Sequence, residues 1–200
     1  MQKTTSLVLC IACLLLLSSC SPRDFLTRRL AADLISNSNT FRASQPFQLN
    51  TGIVSNKDYA SPEYLVLQHR GWISATHAAC PPELAPPPCW DFTLTPSGVD
   101  TFRGLIAPAD TGKQSFRIPA ARRELIAVTG ISKLGRVADV DFIWRWLPLN
   151  EVGAALYSSD LRYRSTANFR DYDDGWRLAQ GIPHPSQTLD EALRDAEPAP

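Results

Sequence analysis

Between Arg136 and Leu147 the chain alternates: Ala138, Val140, Phe142, Trp144 and Trp146 are interleaved with Asp139, Asp141 and Arg145. Successive side chains of a strand point to opposite faces, so a period of two gives one face to a core and the other to water. A second run, Glu124 to Ser132, precedes it across Leu134 and Gly135. Together they predict a long antiparallel hairpin over about residues 122–147, ended by Pro148 and Asn150.

The upstream residues carry helix signals. Ser21, Pro22 and Asp24 are placed to open a helix. Leu26, Leu30 and Leu34 then share one face, expected to pack into the domain, until Asn37 to Asn39 break it. Phe47 to Val54 has the length of a strand. Ser61, Pro62 and Glu63 start a second helix that Gly71 closes, and Thr95 with Pro96 starts a third that runs to about Arg103. Trp72 to Ser74 and Trp90 to Thr95 are expected as short strands, and Leu161 to Leu178 as a hairpin turning at Asp174 and Gly175. The expected fold class is α+β, N-terminal helices followed by an antiparallel sheet, in one domain over residues 20–180. Residues 181–200 are expected to form a flexible proline-rich tail with a helical turn near Leu189 to Leu193. At 200 residues the chain can bury a sizeable core, about 70% of its unfolded surface. Its twenty Lys and Arg cancel its twenty Asp and Glu, which removes the electrostatic case for a nucleic-acid partner.

The first twenty residues carry an address. Lys3 is followed by an apolar run from Leu7 to Leu17, eleven residues where a bilayer span needs about twenty. Leu17, Ser18, Ser19 and Cys20 resemble the lipobox of bacterial lipoproteins. That resemblance implies a signal peptide over residues 1–19 and lipidation of Cys20, whose thiol can form the thioether. Two or three acyl chains would make dissociation from a membrane negligible. Ser21, in place of Asp, implies a periplasm-facing outer-membrane location in a Gram-negative host, and otherwise the outer face of the cell membrane. The resemblance covers these twenty residues and carries nothing about the domain that follows.

Outside the cytoplasm, Cys80 and Cys89 are most simply a disulfide. Five of the eight enclosed residues are proline (Pro81, Pro82, Pro86, Pro87 and Pro88). Closing such a ring is worth about 2.7 kcal/mol by loop entropy, less where prolines already stiffen the unfolded loop. A zinc site recruiting His69 and His77 lacks the paired short spacing of structural zinc.

Other constellations fail on a specific residue. The stretch Ala107 to Gln114 lacks the first glycine and the hydroxyl of a phosphate loop. Gly130, Ile131 and Ser132 lack the closing glycine of a nucleophile elbow, where Leu134 stands. His184 lies between two prolines. Asp171, Asp173 and Asp174 precede a glycine one place early for a calcium loop, with Ile182 in place of the last acid, and read as a turn facing nearby arginines. No catalytic set, cofactor or metal is therefore expected.

Three functional readings follow. The leading one is a membrane-anchored envelope lipoprotein with a non-catalytic binding or scaffolding domain, its partners envelope proteins or glycans, on a face of Tyr157, Arg162, Tyr163, Arg164, Tyr172 and Trp176. A second is a small hydrolase using Asp139 and Asp141, about 7 Å apart on one face of their strand. A third is a carrier of a hydrophobic ligand. Separately, Leu67 to Ile73 with Gly71, then Leu94, Thr95 and Gly98, resemble the second half of a winged-helix domain over about residues 62–104. That implies a shape only, because Glu63 to Arg70 is not a basic recognition helix. Thiol titration of the unfolded, unreduced protein is expected to find neither Cys80 nor Cys89 reactive; two free thiols there would refute the bridge.

Overall fold

A computed structural model describes residues 25–84, 86–106, 115–179 and 188–199. The predicted lipobox with Cys20, the phosphate-loop lookalike at 107–114, and His184 all lie outside the described residues. The elements run α1 (Arg28–Ser36), α2 (Asn39–Arg42), β1 (Gln45–Asn50), β2 (Gly52–Ser55), α3 (Asn56–Tyr59), α4 (Pro62–His69) and β3 (Ile73–Ala78). Then come β4 (Cys89–Leu94), α5 (Pro96–Phe102), β5 (Ser115–Leu134), β6 (Val137–Pro148), α6 (Glu151–Leu156), β7 (Arg162–Tyr172), β8 (Gly175–Leu178), α7 (Leu189–Arg194) and β9 (Glu197–Ala199). The fold is mixed α+β and mostly antiparallel. One sheet has the order β1-β5-β6-β7-β8 with β9 on β7, and a second is three-stranded in the order β2-β4-β3. Among the described residues no helix is long and apolar enough to cross a membrane.

The helices are not gathered ahead of the sheet as expected; among the described residues they are interspersed with strands. The predicted strand Phe47 to Val54 is two strands in different sheets, parted at Thr51 because Gly52 takes φ 79°, open to glycine at little cost. The hairpin is longer than 122–147, since β5 begins at Ser115 to pair with β1. The break expected at Asn37 to Asn39 lasts two residues before α2 begins.

Two compact units share this chain. One holds residues 41–124 and 144–162, the other the residues up to 40 with 125–143 and 163–199. Strands β5 and β6 contribute to both.

In the first unit the core gathers Phe47, Leu49, Val54, Tyr64, Leu67, Phe92, Phe102, Ile118 and Val152. α4 starts with the Ser61 hydroxyl accepting from the Tyr64 N–H and Pro62 in the first turn, as read from sequence; α5 starts the same way with Thr95 and Pro96. Both Ala120 and Ala121 are buried, which strict alternation forbids; the register shifts opposite Gln45 and Pro46, so the strand bulges there. α6 seats at that point. The Leu149 N–H donates to the Ala120 carbonyl at 2.9 Å, and a Cβ on Gly153 would lie 1.8 Å from the same oxygen, so the helix closes in only as glycine.

The second unit buries Ala31 and Ile35 of α1, which packs on β8, together with Val140, Phe142, Phe169 and Trp176. The helix start predicted at Ser21, Pro22 and Asp24 lies outside the described residues; α1 itself is capped by Thr27. In the expected flexible tail, residues 181–187 are outside the description. From Thr188 onward it is ordered secondary structure. Thr188 and Glu191 form a full capping box, Leu189, Ala192 and Leu193 are buried, and β9 pairs with β7. Apolar side chains at three of the helix's six positions supply the burial that composition alone did not suggest.

Tyr64 ties β1 to α4. It is 5% exposed; its hydroxyl accepts from the Asn50 N–H and lies 3.3 Å from the carbonyl oxygens of Gln48 and Asn50. Burial pushes its pKa up to about 12, against the opposing pull of the Asn50 N–H. The neutral phenol is the form the fold favours. Its stabilisation is complete below the ordinary tyrosine pKa of 10.0 and is lost as pH rises toward about 12. Urea denaturation of wild type and Tyr64→Phe across pH 8 to 12 is expected to show a larger alkaline loss in the wild type than in the variant, which is about 1–2 kcal/mol less stable at neutral pH.

Candidate binding face

The strands β7 and β8 carry most of the residues that sequence singled out. Their register, Phe169 opposite Leu178 through Tyr172 opposite Gly175, makes Asp173 and Asp174 the turn, one residue before the expected Asp174 and Gly175. Gly175, with φ 110°, instead occupies the first paired position, a backbone region open to glycine at little cost.

Alternation sorts the side chains. Ser165, Ala167 and Phe169 are buried, while Arg162, Arg164, Arg170 and Tyr172 are exposed. The six predicted face residues are therefore not all exposed. Trp176, 3% exposed, is core, and the Lys133 ammonium lies 4.7 Å from its ring centroid. Tyr157 and Arg162 belong to the other compact unit, where Tyr157 is half-buried with its ring 5.3 Å from that of Trp146. Burial raises the Tyr157 pKa, partly offset by a hydrogen bond with Gln45. Tyr163 is half-buried.

What gathers around Tyr172 is a set of charges. A depression of about 530 Å³ is lined by Arg136, Arg170 and Arg177, by Asp171, Asp173 and Asp174, and by Tyr172 between them. The guanidinium carbons of Arg170 and Arg177 lie 5.6 and 5.5 Å from the Tyr172 ring centroid, within cation–π range. Arg136, from the turn between β5 and β6, binds Asp173 at 3.1 Å, and Arg177 binds Asp174. The turn acids do face arginines, as read from sequence. Arg170 has no carboxylate partner among the described residues. Exposed pairs contribute little to stability, median about 0–1 kcal/mol, so their effect is to hold the arginine heads in place around the ring.

Sequence reading missed Arg136. Nothing local marks it; it reaches the cluster only because the hairpin turn ends beside that of β7 and β8, where the Asp171 N–H donates to the Arg136 carbonyl at 2.9 Å.

Asp139 and Asp141 do share the solvent face of β6. Each is engaged by a neutral donor from β7: Asn168 Nδ2 donates to Asp139, and the Thr166 hydroxyl donates to Asp141 Oδ1 at 2.6 Å. Gly130 leaves Asp141 room, since a Cβ there would lie 3.0 Å from Oδ2. Cross-strand pairs of this kind are a sheet's ordinary stabilisation.

Cys80 and Cys89 are joined by a disulfide, so neither thiolate is available to hold zinc. His69 is exposed at the end of α4, while His77 sits 5.7 Å from the Trp90 ring, itself stacked on Tyr59 at 4.0 Å. The tryptophans divide. Trp144 is 2% exposed and fills the interior, while Trp146 is half-buried beneath the Arg123 guanidinium at 4.9 Å.

Replacing Asp139 or Asp141 by Ala is expected to cost about 0.5–1.5 kcal/mol, the worth of one cross-strand hydrogen bond, as read by urea denaturation. Loss of a measured hydrolysis in both variants at unchanged stability would instead make them catalytic. No protein-family model, no curated protein and no solved structure matches the chain.

Proposed function

We propose that this chain is a lipid-anchored lipoprotein of the cell envelope whose domain binds or scaffolds rather than catalyses. The observation that carries the reading is Leu17, Ser18, Ser19 and Cys20 directly behind the apolar run from Leu7 to Leu17. The disulfide between Cys80 and Cys89 supports an oxidising, extracytoplasmic compartment. In a Gram-negative host, Ser21 favours the outer membrane, facing the periplasm.

The depression around Tyr172 supports a binding role. Three guanidiniums about an exposed ring suit a polar partner bearing carboxylates, whether an envelope protein or an acidic glycan. The shape suggested for residues 62–104 is supported by the succession α4, β3, β4, α5 and by the sheet order β2-β4-β3. α4 itself carries no Lys or Arg between Pro62 and His69 and gives no reason to add nucleic acid as a partner. The hydrolase reading loses ground because both carboxylates are held by neutral donors on the sheet face. The carrier reading loses ground because Trp144 and Trp176 are packed inside.

Metabolic labelling with a palmitate analogue is expected to mark the wild-type chain and not Cys20→Ala, which should leave the membrane fraction. A Cys20→Ala chain that still fractionates with membranes would defeat the proposal.

A further inference from the structure

Arg170 and Arg177 stand directly opposite each other on β7 and β8, and by alternation they share the solvent face with Tyr172. Like charges in opposed positions destabilise a sheet. The acids of the turn do not relieve both: Asp174 binds Arg177, Asp173 binds Arg136, and Asp171, opposite Trp176, alternates away from the pair. On the other flank of β7, the contacts of Asn168 with Asp139 and of Thr166 with Asp141 fix the alignment with β6, which places Val137 beside Arg170. The cross-strand neighbours of Arg170 are thus a second arginine and an aliphatic side chain. Its contact with the Tyr172 ring engages the charge but uses none of its N–H donors.

Apolar surface adjoins that uncompensated charge. Leu134 and Val137, which flank the turn of Gly135 and Arg136, are 81% and 48% exposed. An acidic sugar, hydroxylated around its ring, has nothing to set against them. A peptide C-terminus does: its planar carboxylate matches an arginine fork in bidentate geometry, and its last side chain sits beside that charge. A depression of about 530 Å³ has the size of a small-ligand site, room for a chain end and not for a folded surface.

We propose that this depression captures a terminal carboxylate that follows a small apolar residue, with Arg170 and Arg177 holding the anion and Leu134 and Val137 meeting the side chain. The inference rests on the reading of the depression as a binding site and narrows its partner to a peptide end. An anion between the two arginines also replaces their mutual repulsion with two attractions.

Calorimetry on the full chain in a neutral detergent would use three probes: acetyl-Gly-Ala-Ala with a terminal carboxylate, the same peptide as its C-terminal amide, and galacturonate. The acid is expected to bind about tenfold more tightly than either of the others, a difference of about 1.4 kcal/mol. Arg170→Gln should bring the acid down to the amide, and Arg170→Lys should recover only part, since an ammonium lacks the fork. Leu134→Ser with Val137→Ser should weaken acid and amide alike. Arg103→Gln, at an exposed arginine of the other compact unit, should leave the tenfold difference in place. Because it removes a like-charge opposition, Arg170→Gln should be as stable in urea as the wild type, so its loss of binding is not unfolding. Equal binding of acid and amide, a preference that survives Arg170→Gln, or an affinity that the two serines leave unchanged would each overturn the assignment. Galacturonate as tight as the acid would overturn the peptide end while keeping a carboxylate site; no binding by any probe would remove both. None of these readouts involves Cys20, so the lipid anchor stands or falls separately on palmitate labelling.

Discussion

The main-chain pairing of β5 with β6 underlies the rest of the molecule. These strands, 20 and 12 residues long against a usual 3–10, contribute residues to both compact units. The residues around Tyr172 and the pair Asp139 and Asp141 are positioned from them or from a strand paired to them. The bulge at Ala120 and Ala121 is what such length needs, because it resets which side chains face inward partway along the strand. The same irregularity leaves the Ala120 carbonyl as the seat of α6, which glycine alone lets approach.

The exposed charge of the second unit is arranged for position and not for stability. Around Tyr172 three guanidiniums and three carboxylates compensate one another, two of the acids being bound to arginine. Compensation of this kind costs a ligand little to disrupt, because each exposed pair is already screened by water. The carboxylates of β6 are treated differently: Asp139 and Asp141 are satisfied by an amide and a hydroxyl from the next strand, which fixes their direction. The charge cluster and the sheet packing are thus carried by different residues of the same hairpins.

How much was legible varied with the range of the interaction. Caps formed by a residue and its neighbour three places on, such as Ser61 with Tyr64 and Thr95 with Gly98, could be read directly, as could the alternation of β6. The split of Phe47 to Val54 between two sheets could not, since both halves carry the apolar pattern of one strand and only their partners differ. Trp176 and Tyr172 looked alike in sequence, two aromatics among arginines four residues apart. The turn at Asp173 and Asp174 put one in the core and left the other in water. The ordered end from Thr188 was obscured by the surrounding prolines, although its capping residues were in plain view.

The sequence by itself determined the period-two faces of the long hairpin, the pairing of Cys80 with Cys89, and the neutral balance of charge. These depend on covalent proximity or on the stereochemistry of a strand, both local. Only the tertiary structure decided that Arg136 would meet Asp173, 37 residues away, that Trp144 and Trp176 would be core, and that β3 would be left as an edge. Each of those depends on strand order and register, which are set by which long-range pairings bury the most apolar surface together, a property of the whole chain that no short window of residues contains.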